Sequence, residues 1–312
     1  MEWPKEVIDV RSDLVDSTIW RRLRFRPDDI VIVSWAKAGT TLTQQLVGQL
    51  ITGGSAELAT GDASPWLDMR VMPPNTLELL EAQSHRRFIK THLPTTALPY
   101  DPSVKYIYCC RDGRDVVWSL HNHHIKVNDA WHDLMNNTPG RLGPPSARAD
   151  PDPRAYFLNW LRKDGAPFWP FFSHVRGWWN VRQLPNVMLV HFNNLRADLQ
   201  GEGRRIADFL GIQVDEERWP AILEHCSMDW MRAHPHKVNR MLESMWQNGI
   251  NDFVFKGTNG RWRDTLTAED SAEYEQAARQ ELGEECAAWL QTGEPPDPKL
   301  VGPGAKDPKP AG

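Results

Sequence analysis

The chain has 312 residues, of which 40% are hydrophobic and 25% are charged, so it can form a packed core and is not a disordered protein. Its formal net charge of -5 argues against a general nucleic-acid-binding protein, because such proteins neutralise phosphates with an excess of Lys and Arg. The sequence shows no signal-peptide pattern and no apolar run of membrane-spanning length, so we expect a cytoplasmic protein without a membrane partner.

Apolar, β-branched segments bounded by turns predict four strands, at residues 30–33, 88–89, 104–110 and 187–192. Helical spacing of apolar residues follows the first and last of them, and the second of these helices should end at Gly211. Strands that alternate with helices predict an α/β fold with a doubly wound, mostly parallel central sheet. We assign residues 1–292 to a single domain and residues 293–312, rich in Pro and Gly, to a flexible tail.

Ligands of such sheets bind beyond the carboxyl ends of the strands, and the first strand is followed there by SWAKAGTTL, residues 34–42. Gly39 lets the backbone approach a ligand, and Thr40 and Thr41 begin a helix whose free N–H groups favour an anion. Lys37 adds a movable positive charge. The order of these residues differs from that of a nucleotide-triphosphate loop, in which the lysine follows the second glycine, so the sequence predicts an anion site of another kind.

Two further loops are expected at the same edge of the sheet. KTHLP ends the second strand, and its alternation places Lys90 and His92 on one side; a neutral imidazole there can act as a general base. CRDGRDVVWS follows the third strand and offers Arg111 and, two helical turns later, Ser119 for a second anionic group.

Near the C-terminal end, FKGTNGRWRDTLT combines two glycines with three basic residues, which suits an anion-binding nest: Lys256, Arg261 and Arg263. Thr267 and Asp270 then predict a capping box at the start of the last helix. Between the third and fourth strands, residues 136–154 hold five prolines and predict a long loop or lid. The aromatic-rich residues 156–179 that follow are expected to pack on the sheet, with some rings reaching a binding pocket.

The cysteines should be reduced thiols, because Cys109 and Cys110 are neighbours in an apolar run and the other two stand alone. We expect no metal site, since CxxC and HExxH motifs are absent. Three histidines share one predicted helix, and we expect them to contact water and neighbouring side chains rather than a metal ion: His121, His123 and His124.

Four segments together resemble the soluble sulfotransferase family, whose donor is 3'-phosphoadenosine 5'-phosphosulfate (PAPS). SWAKAGTTL is similar to the family's YPKSGTTW loop, KTHLP to its lysine-histidine motif, CRDGRDVVWS to CRNPKDVxxS, and FKGTNGRWRDTLT to RKGxxGDWKNxFT. The resemblance implies transfer of a sulfuryl group from PAPS to a hydroxyl of a small alcohol or phenol, without a metal ion.

Position by position, the resemblance implies three roles in catalysis: His92 as general base, Lys37 at the leaving phosphate oxygen and Lys90 at the transferring group. It implies that the 5'-phosphosulfate is held by Lys37, Ala38, Gly39, Thr40 and Thr41. It implies that the 3'-phosphate is held by Arg111, Ser119, Lys256 and Gly257. The adenine would lie near Leu42, Phe192, Cys226 and Met228.

Two positions depart from the family's pattern. Leu42 replaces a tryptophan that would stack on adenine, and Phe255 replaces an arginine that would bind the 3'-phosphate, a contact typically worth about 1.5–3 kcal/mol. Arg261 or Arg263 are candidates to replace that charge. Two alternatives stay open: a PAPS-binding protein of this fold without effective catalysis, and a nucleotide-dependent kinase. The sequence does not fix the acceptor or the oligomeric state.

Overall fold

A computed structural model describes residues 2–166 and 168–294 of the protein. Its sheet has four strands, β1 (Ile30–Ser34), β2 (Phe88–Thr91), β3 (Lys105–Cys110) and β4 (Val187–His191). The strands are all parallel and lie in the order β2-β1-β3-β4. The chain therefore leaves β1 to one side for β2 and then crosses to the other side for β3. This reversal creates a crevice beyond the carboxyl ends of β1 and β3, where ligands of such folds bind.

The helices cover both faces of the sheet and its carboxyl edge. In chain order they are α1 (Thr40–Thr52), α2 (Thr60–Ala63), α3 (Thr76–Glu81), α4 (Gly113–Lys126), α5 (Asp129–Asn137), α6 (Pro153–Arg162), α7 (Phe171–Asn180), α8 (Phe192–Ala197), α9 (Leu199–Leu210), α10 (Trp219–His225), α11 (Met228–Ala233), α12 (Pro235–Val238), α13 (Leu242–Met245), α14 (Ile250–Phe253), α15 (Ala268–Leu282) and α16 (Glu284–Thr292). The predicted α/β fold is confirmed.

Alternate residues of the strands enter two separate apolar cores. Val31 and Val33 pack on one face with the aromatic helices α6 and α7, while Ile30 and Ile32 pack on the other with α1 and α9. Every residue of β1 is buried, which explains why the strand is continuously apolar rather than alternating. The prediction that the aromatic-rich stretch packs on the sheet is confirmed, since Trp160 and Trp178 are almost fully buried.

Several local predictions are confirmed. Gly211 ends α9 in the left-handed conformation, and the capping box of Thr267 and Asp270 begins α15. All four cysteines are buried and free.

Within the described part of the chain, no helix is long and apolar enough to cross a membrane.

Several boundaries differ from the prediction, and the first three strands differ at one end by one or two residues: β1 ends at Ser34, β2 at Thr91, and β3 begins at Lys105. The proline-rich loop is shorter than residues 136–154, because α5 continues to Asn137 and α6 begins at Pro153, whose fixed φ suits the first turn of a helix. The last strand ends at His191, since Phe192 already begins α8. The proposed tail, residues 293–312, lies outside the described residues apart from Gly293 and Glu294.

Candidate active site

The loop between β1 and α1 has the backbone of an anion site. Lys37 has a φ of 65°, a left-handed conformation that is uncommon for residues other than glycine and that concentrates at functional sites. Gly39 has a φ of 112°, and a Cβ there would lie 2.7 Å from Cδ2 of Phe192. No side chain caps the first turn of α1, so the N–H groups of residues 40–42 remain available to a ligand.

His92 lies directly after β2, and the structure fixes its orientation. Its Nδ1 is 2.8 Å from the carbonyl oxygen of Ser34, which can only accept, so the proton is on Nδ1 and the basic lone pair is on Nε2. Burial and the charge of Lys90 lower the pKa of His92 well below its ordinary value. A neutral imidazole with a fixed tautomer is the form that can take a proton from a ligand.

Lys90 is held beside His92 by an aromatic ring. Its Nζ lies 4.6 Å from the ring of Trp66, and the same ring meets the imidazole of His92 edge-on at 4.6 Å. Asp68 accepts the indole N–H of Trp66 and the hydroxyl of Thr91. Burial lowers the pKa of Lys90 to about 8, against the opposing charge of Asp68.

Lys37 is the second cation at this edge of the sheet. Its Nζ is 3.3 Å from Nδ1 of His123 and 4.6 Å from the ring of Phe253. Burial, followed by the charges of Lys90 and Arg111, lowers the pKa of Lys37 to about 7. An anion placed here would stabilise the charged lysine, because an opposite charge favours the protonated form.

Arg111 joins the loop after β3 to the C-terminal loop. Its guanidinium donates to the Oδ1 of Asn259 at 2.9 Å and to the carbonyl of Thr258 at 3.1 Å, and it lies 4.5 Å from the ring of Phe192. Asp115 on α4 accepts the N–H of Gly260 at 2.7 Å. These contacts bring residues 256–260 next to the β1–α1 loop, although some 145 residues separate them from α4.

The two candidates to replace the charge missing at Phe255 are placed differently. The guanidinium of Arg261 lies 5.0 Å from the ring of Phe255 and faces the same cavity. Arg263 is not part of the cavity wall, and its guanidinium lies 4.5 Å from the ring of Trp262. Of the two, Arg261 therefore has the position to contact an anion.

All these groups line a cavity of about 1750 Å³. It contains every residue predicted for the site except one: Lys37, Gly39, Thr40, Thr41, Leu42, Lys90, His92, Arg111, Ser119, Phe192, Cys226, Met228, Lys256 and Gly257. The exception is Ala38, whose side chain is buried in the core and whose N–H faces the carbonyl of Trp35 at 3.3 Å. The structure thus brings the four motifs together around one space.

Most of the rest of the wall is built from segments that carry no motif. They are the residues of the cavity that fall within 10–14, 60–73, 120–135, 142–150, 155–169 and 238–246. Arg70 ties three of these segments together, donating to the carbonyls of Asp13, Met135 and Thr138 at 2.6–2.7 Å. This wall includes several large aromatic side chains, among them Trp66, Trp131, Phe168, Trp169 and Trp246.

Sequence reasoning missed several of the groups that hold the site. Ser34 orients His92, Asp68 holds Trp66, and Phe253 lies under Lys37. The histidines of α4 have individual partners rather than a shared one, since His124 bonds the hydroxyl of Tyr156 at 2.8 Å. Most of these contacts join parts of the chain that are far apart in sequence, and no local pattern marks them; Asp68 and Trp66 are close in sequence, but Asp68 also accepts from Thr91, 23 positions away.

In the part of the chain that the structure describes, no group of three or more His, Cys, Asp or Glu side chains is placed to hold a metal ion.

Comparison with known proteins agrees with this geometry. A family model described as a sulfotransferase domain matches residues 27–285. Over 308 residues the chain is 30% identical to a protein of Mycobacterium tuberculosis named Glycolipid sulfotransferase, covering 91% of this chain and 94% of that protein. It is 27% identical over 271 residues to Sulfotransferase 1C2 of Homo sapiens, covering 82% and 84%.

Solved structures share the fold. The mouse sulfotransferase SULT7A1 complexed with PAP has a TM-score of 0.66 at 20% identity, over 88% of this chain and 90% of that one. Retinol dehydratase in complex with androsterone and PAP has a TM-score of 0.64 at 23% identity, over 86% and 87%. With the family match across residues 27–285 and 30% identity over nearly the whole chain, the protein belongs to the sulfotransferase family.

Proposed function

We propose that the protein transfers a sulfuryl group from PAPS to a hydroxyl of a small-molecule alcohol or phenol, with His92 as general base. The observation that carries this proposal is the fixed tautomer of His92. Its Nδ1–H donates to the Ser34 carbonyl, so Nε2 is the basic atom, and it lies in a cavity that also holds Lys37, Lys90 and an uncapped helix N-terminus.

The residues present fit an anionic nucleotide. The free N–H groups of α1 and the side chain of Lys37 would hold the 5'-phosphosulfate. Residue 39 has to be a glycine at this point of the loop, because a Cβ there would lie too close to the ring of Phe192. Arg111, Ser119, Lys256 and the backbone at Gly257 would hold the 3'-phosphate. Leu42, Phe192, Cys226 and Met228 would form an apolar slot for adenine.

PAPS supplies an activated sulfuryl group whose bond to the 5'-phosphate breaks as the bond to the acceptor oxygen forms. His92 would accept the hydroxyl proton on Nε2 and hold it as imidazolium. Lys37 would neutralise the negative charge that develops on the leaving phosphate oxygen, and Lys90 would stabilise the transferring oxygens. In such a transfer, positioning and charge provide most of the rate enhancement.

The direct test is incubation with sulfur-labelled PAPS and a panel of alcohols and phenols, with labelled product separated by chromatography. Thermal shift with PAP, the desulfated nucleotide, reports donor binding independently. Transfer to at least one hydroxyl compound is expected. If PAP stabilises the protein but none of the acceptors is labelled, a PAPS-binding protein without effective catalysis is the better description; magnesium-dependent ATP turnover would instead favour a kinase.

A glycolipid is the second candidate acceptor. The relative from Mycobacterium tuberculosis is named for that substrate class and matches almost the whole chain, and a cavity of about 1750 Å³ is larger than most small-molecule pockets need. Inclusion of a glycolipid in detergent in the same panel distinguishes the two candidates. A kcat/KM for the glycolipid far above that of every simple alcohol or phenol would identify a glycolipid, rather than a small alcohol or phenol, as the acceptor.

A further inference from the structure

His123 is a further imidazole in the wall of the cavity, and the proposed mechanism gives it no role. It lies on α4, four residues after Ser119, and its Nδ1 is 3.3 Å from the Nζ of Lys37. Its ring also packs 4.8 Å from Trp246 and 5.6 Å from Phe253. These contacts fix the ring beside the lysine that would touch the reacting atoms.

The contact with Lys37 decides which nitrogen of His123 carries the proton. A charged lysine has three N–H donors and no acceptor, so Nδ1 must accept from it. Burial and the charge of Lys37 both lower the pKa of His123 well below its ordinary value, which keeps the ring neutral. The single ring proton then lies on Nε2, which becomes a hydrogen-bond donor.

This donor has no partner within the described residues. Nε2 of His123 makes no hydrogen bond to any residue that the structure describes, and it is not among the buried side-chain atoms that lack one, so it is open to the cavity. The neighbouring rings of Trp246 and Phe253 cannot accept a conventional hydrogen bond from it. Once a ligand displaces water, an unmatched donor in this wall becomes unfavourable.

We propose that His123 is a specificity-determining residue that selects acceptors carrying a second oxygen next to the reacting hydroxyl, as in vicinal diols, sugars or alkoxyphenols. This inference rests on the proposed function, because it assumes that the acceptor hydroxyl lies between His92 and the phosphosulfate site. Since Lys37 contacts both that site and His123, a hydrogen bond from Nε2 would reach an oxygen close to the reacting one. A site that hydrogen-bonds a ligand oxygen discriminates strongly against analogues that lack it.

The test compares 2-methoxyphenol with 2-ethylphenol, which are close in shape and differ in the oxygen beside the hydroxyl. The wild-type protein should show a kcat/KM roughly 10- to 100-fold higher for 2-methoxyphenol. His123→Phe should remove this preference, mainly by lowering kcat/KM for 2-methoxyphenol. His123→Gln, whose side-chain amide can accept from Lys37 and still donate, should restore part of it.

Calorimetric titration with PAP controls for the fold, and similar PAP affinity is expected in all three proteins. Equal kcat/KM for the two phenols in the wild type, or an unchanged preference in His123→Phe, would overturn the inference. Transfer to other hydroxyl compounds but to neither phenol would overturn it as well, while leaving the proposed function intact. If no hydroxyl compound of the larger panel is labelled, it is the proposed function that fails.

Discussion

The two halves of the cavity are built in different ways. The half that would hold the donor is built mainly from loops that directly follow β1, β2 and β3, with residues 256–260 attached through Arg111 and with Phe192, Cys226 and Met228 at the proposed adenine slot. The half that would hold the acceptor consists of segments from six parts of the chain, joined in part by Arg70. Strand ends fix the first half, whereas side-chain contacts between loops hold the second.

This difference has a functional consequence. Loops fixed by parallel strands keep the cations and the helix N-terminus in place, as an invariant donor requires. A wall assembled from loops can change its shape and its polar groups without disturbing the sheet. We therefore expect substitutions in the two halves to affect different measured quantities, and the following predictions test that separation.

The largest effect is expected at His92. His92→Ala should lower kcat by about 10²- to 10⁴-fold, since the general base is lost, while the Kd of PAP stays near the wild-type value. Labelled-sulfate transfer and calorimetry measure the two quantities. His236→Ala, which changes an exposed histidine outside the cavity, is the control and should be fully active. A large loss of PAP affinity in His92→Ala would make His92 a structural residue instead.

Lys37→Met should come next, with kcat lower by about 10²- to 10³-fold, because the charge that stabilises the leaving oxygen is removed. Unlike His92→Ala, it should also weaken PAP binding. Lys105→Met serves as its control: Lys105 begins β3 at the opposite edge of the sheet and lies against Phe209. If Lys37→Met bound PAP normally and retained full kcat, Lys37 would not belong to the donor half.

Gly39→Ala should weaken PAP binding by roughly tenfold or more and lower Tm. The left-handed backbone costs an alanine about 1–2 kcal/mol, and the new Cβ would also lie 2.7 Å from Phe192. Gly53→Ala is a matched control, since Gly53 has a φ of 61° but no atom within 4 Å of an added Cβ. It should lower Tm by less and leave the Kd of PAP unchanged. Equal effects of the two substitutions would show that backbone strain alone matters.

Arg70→Met should loosen the acceptor half without disturbing the donor half. Three carbonyls would lose a charged donor, and we expect acceptor KM to rise about tenfold, with the Kd of PAP unchanged. Arg26→Met is the control, because Arg26 also bonds carbonyls, those of Glu81 and Gln83, but outside the cavity. Weaker PAP binding in Arg70→Met would mean that the two halves are coupled.

The smallest effect is a proton taken up with the donor. Burial lowers the pKa of Lys37 to about 7 and that of Lys90 to about 8 in the free protein, so near pH 8 both are partly neutral. An anionic nucleotide raises both pKa values, and binding should take up roughly one proton. Its affinity should therefore fall as pH rises through this range.

Calorimetry in buffers of different ionisation enthalpy measures this uptake. Lys37→Met should take up clearly less than the wild type at the same pH, because one of the two lysines is gone. Identical uptake in both proteins would show that the pKa of Lys37 is not the source.

The sequence alone determined the fold class and most of the donor half. Continuous apolar runs such as residues 30–33 identify buried parallel strands, because strands covered on both faces need no polar alternation. Lys37, His92 and Arg111 could be assigned to one edge since each directly follows or ends a strand. The family resemblance of their motifs agrees with the domain match over residues 27–285.

Only the tertiary structure decided the contacts that give these residues their chemical state. The tautomer of His92 depends on a carbonyl 58 positions away, and the partner of Lys37 is 86 positions away. The tertiary structure also distinguishes Arg261, which faces the cavity, from Arg263, which does not, although only one residue lies between them in the sequence. Strand ends can be located from local periodicity, but the side chains that meet across a cavity depend on how distant segments pack, and no local pattern records that.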